Sequence, residues 1–567
     1  MQLQRPWLGS WAGSVPREIG VEARPLQSLL EDSAKRFPLS TCLSYQGRSF
    51  TYSEVEEISS RFASALVSLG LQRGDRVAIF MPNIPQFVFS YFGTLKAGGV
   101  VVPCSPLYKE KELEYQLRDS GASFVVAASD VVKGRDLYAS LEKCRTRLSV
   151  KATIAASVTE YLPSLKRPFA GLAGVKKVAR SGTVQFKQIV DRSEPLKAGV
   201  AVDPAKDVAV LQYTGGTTGV SKGAMLSHAN LYLNAAAATQ CLPLLSGDVA
   251  LAALPLFHIY GMTTGMNAPF FVGARVILLP RFDVEEVMKT IEHEKVTSFC
   301  GVPTMYIAVI NHPEVSRFNL RTVKSCISGG APLPVAVRKR FIEITGSHLV
   351  EGYGLTEASP VTHCNPVGEG AVVKDGSIGL PIAETDAAIV DMEDPSKLLG
   401  IGEVGELAVM GPQVMLGYWN RKDESDLVLK AGWLLTGDIA KMDDQGYFFI
   451  VDRKKDMIDV GGFKVWPREV EEVLFTHPGV REAAVVGVAD EYRGESVKAF
   501  VILKPESIGK VTAQELMDFC RTNLSSFKAP RSVEFVDDLP KTLVGKVLRR
   551  KLRDKGDWEK DAASSSR

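Results

Sequence analysis

Residues 52–129 read YSEVEEISSRFASALVSLGLQRGDRVAIFMPNIPQFVFSYFGTLKAGGVVVPCSPLYKEKELEYQLRDSGASFVVAAS, and their alternation decides the fold class. From Tyr52 to Leu69 the apolar positions recur at helical spacing, and Gly70 stops them. The run RVAIFMP (76–82) then reads as a strand. FVFSYFGTLKAG (87–98) reads as helix and VVVPCSP (100–106) as strand, and ELEYQLRDSG (112–121) with FVVAAS (124–129) repeats the pair. Helix and strand in turn, with apolar strands bounded by Gly and Pro, predict α/β layers with largely parallel sheets.

Beyond residue 380 the character changes. AAIVD (387–391), GELAVMG (405–411) and GYFFIVDR (446–453) read as short strands joined by Gly and Asp turns, a β-rich subdomain. From Pro467 onward a separate, smaller α+β pattern follows in EVEEVLFTHPGV, EAAVVGVAD, VKAFVILK, AQELMDFCRTNL and SVEFVDDLP. The charged turn DRKKD (452–456) lies between apolar runs and places the boundary there, giving an N-terminal domain of 1–452 and a C-terminal domain of 453–567. Between about 163 and 195 the chain is basic and Gly-containing without clear periodicity, which predicts a solvated loop or connector.

The 567 residues are 45% hydrophobic and 23% charged, the balance of an ordinary globular protein. Lys and Arg total 67 against 65 Asp and Glu, for a net charge of +2. Affinity for a polyanion grows with each phosphate neutralised, so no nucleic-acid partner is expected. The cysteines at 42, 104, 144, 241, 300, 326, 364 and 520 form no CxxC pair, and the 7 histidines form no HExxH. Scattered thiols suit a reducing, cytoplasmic setting, and a transition metal held by the protein is not expected. The N-terminal MQLQRPWLGSWAGSVP lacks the continuous apolar core of a secretory signal. Residues 249–274 (VALAALPLFHIYGMTTGMNAPFFVGA) carry no charge and are long enough to span a bilayer, but Pro255, Pro269 and three glycines interrupt them. A buried strand followed by loop and helix explains the same letters, so no transmembrane segment is expected and any membrane contact is peripheral.

The strongest local signal is YTGGTTGVSKG, Tyr213 to Gly223, directly after the strand-like DVAVLQ. Gly215, Gly216 and Gly219 let backbone N–H groups approach phosphate oxygens, Thr214, Thr217 and Thr218 add hydroxyls, and Lys222 adds a mobile positive charge. The spacing is not that of a Walker loop, in which Gly precedes Lys and Ser or Thr follows it; here Ser221 precedes Lys222 and Gly223 follows.

This loop resembles the phosphate-binding motif of the AMP-forming adenylating superfamily, which includes acyl-CoA synthetases, peptide-synthetase adenylation domains and firefly-luciferase-like enzymes. Gly215 stands where the family usually has Ser and Ser221 where it usually has Pro. Both departures resemble the bacterial-type long-chain fatty acyl-CoA synthetases. Further motifs appear in the family's order across roughly residues 25–555. Pro255-Leu256-Phe257-His258 resembles the segment lining the acyl pocket, although His258 read alone is equally a core histidine. Gly329-Gly330-Ala331 and Glu351-Gly352-Tyr353-Gly354-Leu355-Thr356-Glu357 resemble the adenine- and metal-binding motifs. The resemblance implies that Thr356 reaches the α-phosphate and that Glu357 holds Mg²⁺, a cation that needs only one or two carboxylates beside phosphate oxygens.

Trp433-Leu434-Leu435-Thr436-Gly437-Asp438 resembles the ribose motif, with Asp438 accepting from both hydroxyls and Arg453 as its basic partner. DRKKD read alone is a solvated charge run; in the family its Lys455 is the hinge about which a small, mobile C-terminal domain rotates. Gly461 and Gly462 resemble the segment bordering the CoA channel, and Pro540 to Lys546 the motif of the catalytic lysine, Lys546. The basic cluster at 547–551 is otherwise a helix surface or a patch for anionic membranes. The expected activity is ATP-dependent, AMP-forming ligation of a medium- to long-chain fatty acid to coenzyme A through an acyl-adenylate. A coumarate-type aryl-acid CoA ligase and a fatty acyl-AMP ligase that ignores CoA are the alternatives. A non-enzymatic lipid binder and a P-loop ATPase are rivals of other classes. The resemblance leaves a homodimer open.

Overall fold

The computed structural model describes residues 3–11, 16–172, 174–214, 221–368, 370–490, 493–541 and 547–553. By internal contacts the chain divides into two units. The larger comprises Leu8–Asp386 and Val409–Leu434; the smaller comprises Met1–Trp7, Ala387–Ala408 and Leu435–Arg567.

In the larger unit the expected helix forms as Tyr52–Ser68. Its start is a reciprocal cap: Thr51 Oγ1 accepts from the Glu54 N–H (3.2 Å), and the Glu54 carboxylate accepts from the Thr51 N–H (2.6 Å). Phe62 and Leu66 are buried on the face that meets the helix Pro85–Lys96. The two backbones come close enough that a Cβ on Gly93 would sit 2.7 Å from the Phe62 ring and from the Ser59 carbonyl. Pro85–Lys96 is buried along its whole length, as its near-continuous apolar sequence requires.

The expected strands join one eight-stranded sheet, in the order Val184–Gln185, Ala152–Ala156, Phe124–Ala128, Arg76–Phe80, Val100–Cys104, Val208–Thr214, Lys222–Ser227 and Gly417–Tyr418. The pairings as far as Val208–Thr214 are parallel, and the last two are antiparallel. Val100–Cys104 lies on one side of Arg76–Phe80 and Phe124–Ala128 on the other, so the order of connection reverses there. Open α/β sheets bind ligands beyond the carboxyl ends of strands near such a reversal. Val208–Thr214, one strand further on, ends where the glycine–threonine loop begins.

A second sheet carries Val249–Ala252, Arg275–Leu278, Thr41–Tyr45 and Arg48–Thr51. Single bridges at Ser298 lead from it to Ser325–Ser328, which pairs in parallel with His348–Gly354; Val361–Cys364 and Leu380–Pro381 follow antiparallel. The alanine-rich helix His228–Cys241 touches strands of both sheets and is buried on nearly every side. The uncharged stretch is the strand Val249–Ala252, the short helix Ile259–Met262, a π-turn at Thr263–Asn267 and the helix Ala268–Val272. Among the described residues no helix is long and apolar enough to cross a membrane.

The expectation of a loop over 163–195 needs correction at its end. Val184–Gln185 is the edge strand of the large sheet, and Phe186–Arg192 is a helix whose Phe186 stacks on Phe62 at 4.9 Å. Its apolar residues are too few for periodicity to show, and tertiary packing supplies the order.

In the smaller unit Asp438–Met442, the end of the strand Trp433–Met442, pairs antiparallel with Phe448–Arg453. Further along, Phe463–Val465, Ile458–Val460, Gly494–Leu503 and Val480–Asp490 form an antiparallel sheet, with Ser532–Phe535 parallel on Gly494–Leu503. The helices Pro467–Thr476 and Ala513–Asn523 bury Val470, Leu474, Leu516 and Cys520 against that sheet's Val485 and Val501.

Candidate active site

In the larger unit, Thr214 and Lys222 face each other across the antiparallel strands that flank the glycine–threonine loop. Ser221 Oγ donates to the Thr214 carbonyl (2.5 Å), and the Tyr115 hydroxyl donates to the Ser221 carbonyl (2.8 Å). Gly215, Gly216, Thr217, Thr218 and Gly219 lie outside the described residues. Lys222 differs from the mobile charge expected. Its side chain is 13% exposed, its ammonium is ion-paired with Glu424, and it lies 5.1 Å from the Tyr418 ring centroid. The pairing is possible because Leu416 and Trp419 donate backbone hydrogen bonds to Met225 and Gly223, which brings this strap alongside the lysine's strand.

Tyr418 connects this lysine to the next motif. Its hydroxyl donates to Glu357 Oε1 at 2.7 Å, while the Glu357 carbonyl accepts from the Met415 N–H at 2.8 Å. Burial first, and then the Glu357 charge, push the Tyr418 phenol well above its ordinary range, so it stays a donor. Thr356 and Glu357 sit on the 3₁₀ turn Thr356–Ala358. Just before it the chain must be glycine: a Cβ on Gly354 would lie 2.0 Å from the Pro360 carbonyl oxygen, and one on Gly352 2.8 Å from Ile327. Tyr353 meets the buried His363 edge-on at 5.9 Å. The Glu351 carboxylate accepts from the Leu333 N–H (3.3 Å) and so closes the turn that starts at Gly329.

Gly329, Gly330 and Ala331 follow the strand Ser325–Ser328, beside the strand carrying Glu351. Tyr260 explains Gly329, where a Cβ would come within 3.1 Å of the tyrosine ring. The Tyr260 hydroxyl donates to the Ile327 carbonyl at 2.8 Å. His258 Nδ1 accepts from the Tyr260 N–H (3.2 Å), so the histidine caps the helix that aims Tyr260 under the glycine turn.

The smaller unit holds the rest. Asp438 and Arg453 are register partners on neighbouring strands, joined Nε to Oδ1 at 3.2 Å. The Gly437 N–H donates to Glu406 (3.0 Å), which also holds Lys454 at 2.8 Å. Lys455 lies on the 3₁₀ turn Lys454–Asp456, and surrounding protein, with Arg453 next, lowers its pKa. Gly461 and Gly462, at φ +63° and +87°, make the tight turn between Ile458–Val460 and Phe463–Val465, which accounts for both glycines locally. Lys546 lies outside the described residues. On either side of its segment, Lys541 bridges Val547 and the Leu548 N–H donates to the Pro540 carbonyl (2.7 Å). Arg549, three positions on, donates to both Glu471 oxygens (2.9 and 2.8 Å) and to Asp456 (3.2 Å), and lies 3.8 Å from Asp452.

Sequence patterning does not single out Tyr418, Glu424, Tyr260, Glu406 or Arg549. The run GYWNRKDE (417–424) follows no helix or strand period, and its members matter only through partners distant in sequence.

Among the described residues no group of three or more His, Cys, Asp or Glu could hold a metal. A lone half-buried carboxylate, Glu357, suits a cation that takes its other ligands from phosphate and water.

Residues 30–419 match the AMP-binding enzyme family and residues 469–546 the AMP-binding enzyme C-terminal domain. The chain is 45% identical to a long-chain-fatty-acid–CoA ligase of Bacillus subtilis (strain 168), covering 97% of this chain and 98% of that one. It is 39% identical to a long-chain-fatty-acid–CoA ligase of Escherichia coli O157:H7, with the same coverage of 97% and 98%. Among solved structures it resembles ATP-bound MatB from Rhodopseudomonas palustris, with a TM-score of 0.82 at 29% identity over 94% of this chain and 99% of that one.

Proposed function

The chain belongs to the AMP-binding enzyme family, and from that premise we propose that it joins a medium- to long-chain fatty acid to coenzyme A, with ATP cleaved to AMP and pyrophosphate. A carboxylate is a poor acylating agent, so its oxygen first attacks the α-phosphorus of ATP, giving the acyl-adenylate and pyrophosphate. The thiol of coenzyme A then attacks the mixed anhydride, and AMP leaves. Two anions must meet in the first step, so the site has to present positive charge where negative charge develops. The observation that carries this reading is the line from Lys222 through Tyr418 to Glu357, in which one tyrosine fixes a cation beside the phosphate loop and a carboxylate on the neighbouring motif.

Lys222 and the loop Thr214–Gly219 take the ATP phosphates, and Thr356 takes the α-phosphate. Gly329–Ala331 and Glu351–Gly354 form the adenine wall, and His258 belongs to the acyl side. Asp438 and Arg453 hold the ribose. Mg²⁺, when bound, neutralises phosphate charge, and Glu357 is the residue that would hold it. Lys546 stabilises the adenylate-forming transition state. Residues 453–567 act as a domain that turns about Lys455, so that Lys546 withdraws and the Gly461–Gly462 turn borders the path of the thiol. The eight cysteines, all buried and unbridged, fit a reducing, cytoplasmic setting.

The test is incubation with ATP, Mg²⁺ and a panel of fatty and aryl acids, with and without coenzyme A, following AMP and pyrophosphate. Expected are pyrophosphate release with long-chain acids and acyl-CoA once the thiol is added. Turnover confined to aryl acids, or an adenylate that coenzyme A does not consume, would replace this reading with another.

A further inference from the structure

The segment from Pro163 to Lys177 has a chemistry that nothing in the nucleotide or acyl machinery uses. Leu165 is 85% exposed, Phe169 62% and Leu172 87%, the densest group of exposed large apolar side chains among the described residues. They stand at i, i+4 and i+7 along a run of tight turns, in which the Phe169 N–H donates to Lys166 and the Leu172 N–H to Phe169. The run is anchored to the body of the unit. Lys166 Nζ donates to the Gln46 carbonyl (2.9 Å), the Lys133 N–H donates to Gly174 (2.7 Å), and Val175–Lys176 pairs with Val131–Val132. With its backbone groups engaged in this way, the segment holds its apolar side chains out to water as part of an ordered structure.

The segment's own charge has one sign. From Pro163 to Gly182 there is no Asp or Glu, and Lys166, Arg167, Lys176, Lys177 and Arg180 are basic, in a chain whose net charge is only +2. Arg180 is ion-paired with Asp136, and Lys177 faces Asp130 and Glu160, while Lys166, Arg167, Lys176 and Lys177 remain at the surface. Exposed Leu and Phe cost solubility unless something covers them, and cations flanking them select a negatively charged cover. Three exposed apolar tips with lysine and arginine beside them in the chain fit a bilayer interface, where the tips enter the acyl boundary and the cations meet anionic headgroups.

We propose that Leu165, Phe169 and Leu172, with Lys166, Arg167, Lys176 and Lys177, are the surface by which this protein docks on an anionic lipid bilayer. Nucleic acid would use the cations but would leave Leu165, Phe169 and Leu172 in water.

Co-sedimentation of the full chain with phosphatidylcholine vesicles, with and without phosphatidylglycerol, tests this. The protein is expected to bind the anionic vesicles about tenfold or more tightly than the neutral ones, and more weakly as salt is raised. Leu165→Ser/Phe169→Ser/Leu172→Ser should weaken that binding about tenfold or more, and K166E/K176E/K177E should abolish the preference for anionic lipid. Unchanged AMP release with a water-soluble acid verifies that each variant is folded, and either variant alone suffices for the comparison. Failure of the wild-type chain to bind anionic vesicles, or equal binding by both variants, overturns the proposal. So does binding to a single-stranded oligonucleotide in place of vesicles.

Discussion

Lys222 already has an anion. Glu424 neutralises it, so on the proposed function an incoming triphosphate must take the lysine from that carboxylate. Glu424→Gln is therefore expected to lower the KM for ATP about two- to fivefold, the range spanned by a partly exposed ion pair. Steady-state kinetics measures this, and a raised KM would mean that Glu424 orients Lys222 instead of competing for it. On the proposed mechanism Lys546 serves the first half-reaction only. Lys546→Ala should slow adenylate formation by about 10²–10³ yet spare thioester formation from supplied acyl-adenylate, and equal loss in both assays would refute that division. At this scale the glycine–threonine run leads to an expectation of phosphate chemistry by itself, because its residue types and spacing are local. Glu424 was invisible in the same reading: it lies some two hundred positions downstream and meets Lys222 only because a strap of chain pairs beside that strand.

The elements carry a different kind of constraint. The short helix Arg549–Arg553 begins with a guanidinium set among Glu471, Asp456 and Asp452. Burial pulls Arg549 toward neutrality, but the neighbouring carboxylates outweigh it and hold the pKa above the ordinary range. Burial also raises Glu471 and Asp452, with Arg549 opposing. Arg549→Ala leaves those carboxylates without their main counter-ion and should cost about 3–5 kcal/mol, read as a lower denaturation midpoint. Because the segment carrying Lys546 ends next to this helix, adenylate formation should fall as well. On the strand His348–Gly354, Gly354→Ala would press a methyl group against the Pro360 carbonyl and should cost about 1–3 kcal/mol. The helix at 52–68 is legible because its apolar positions recur at helical spacing, and the strands at 76–80, 100–104 and 124–128 because each is a continuous apolar run, buried at nearly every position. The helix at 186–192 was not: its order comes from Phe186 stacking on a ring far off in the chain.

For the whole molecule, two buried histidines make stability depend on pH. Burial lowers His363 to about 3 and His228 to about 4; His228 Nδ1 accepts from the Leu26 N–H at 3.0 Å. As pH falls through the ordinary histidine value near 6.5, the unfolded chain gains these protons and the folded chain does not. Each histidine therefore lowers stability on acidification from about 6.5 toward its folded value, by about 1.4 kcal/mol per pH unit. Glu160, raised to about 7 by burial, works in the opposite direction, holding a proton in the folded state that the unfolded chain releases above the usual carboxylate range. His363→Gln should make the dependence of unfolding free energy on pH shallower in acid by the slope of one proton. An unchanged slope would show that His363 takes up its proton in the folded state. The sequence alone determined the α/β layering, since it rests on local runs and periods, and its resemblance to a known family supplied the expected phosphate, adenine and ribose motifs in their order. Tertiary structure alone decided that Glu424 neutralises Lys222, that Tyr418 fixes Glu357, that Tyr260 lies under Gly329 and that Arg549 gathers distant carboxylates. Those interactions join positions far apart in the chain, and only the packing of strands and straps sets which charges and hydroxyls meet.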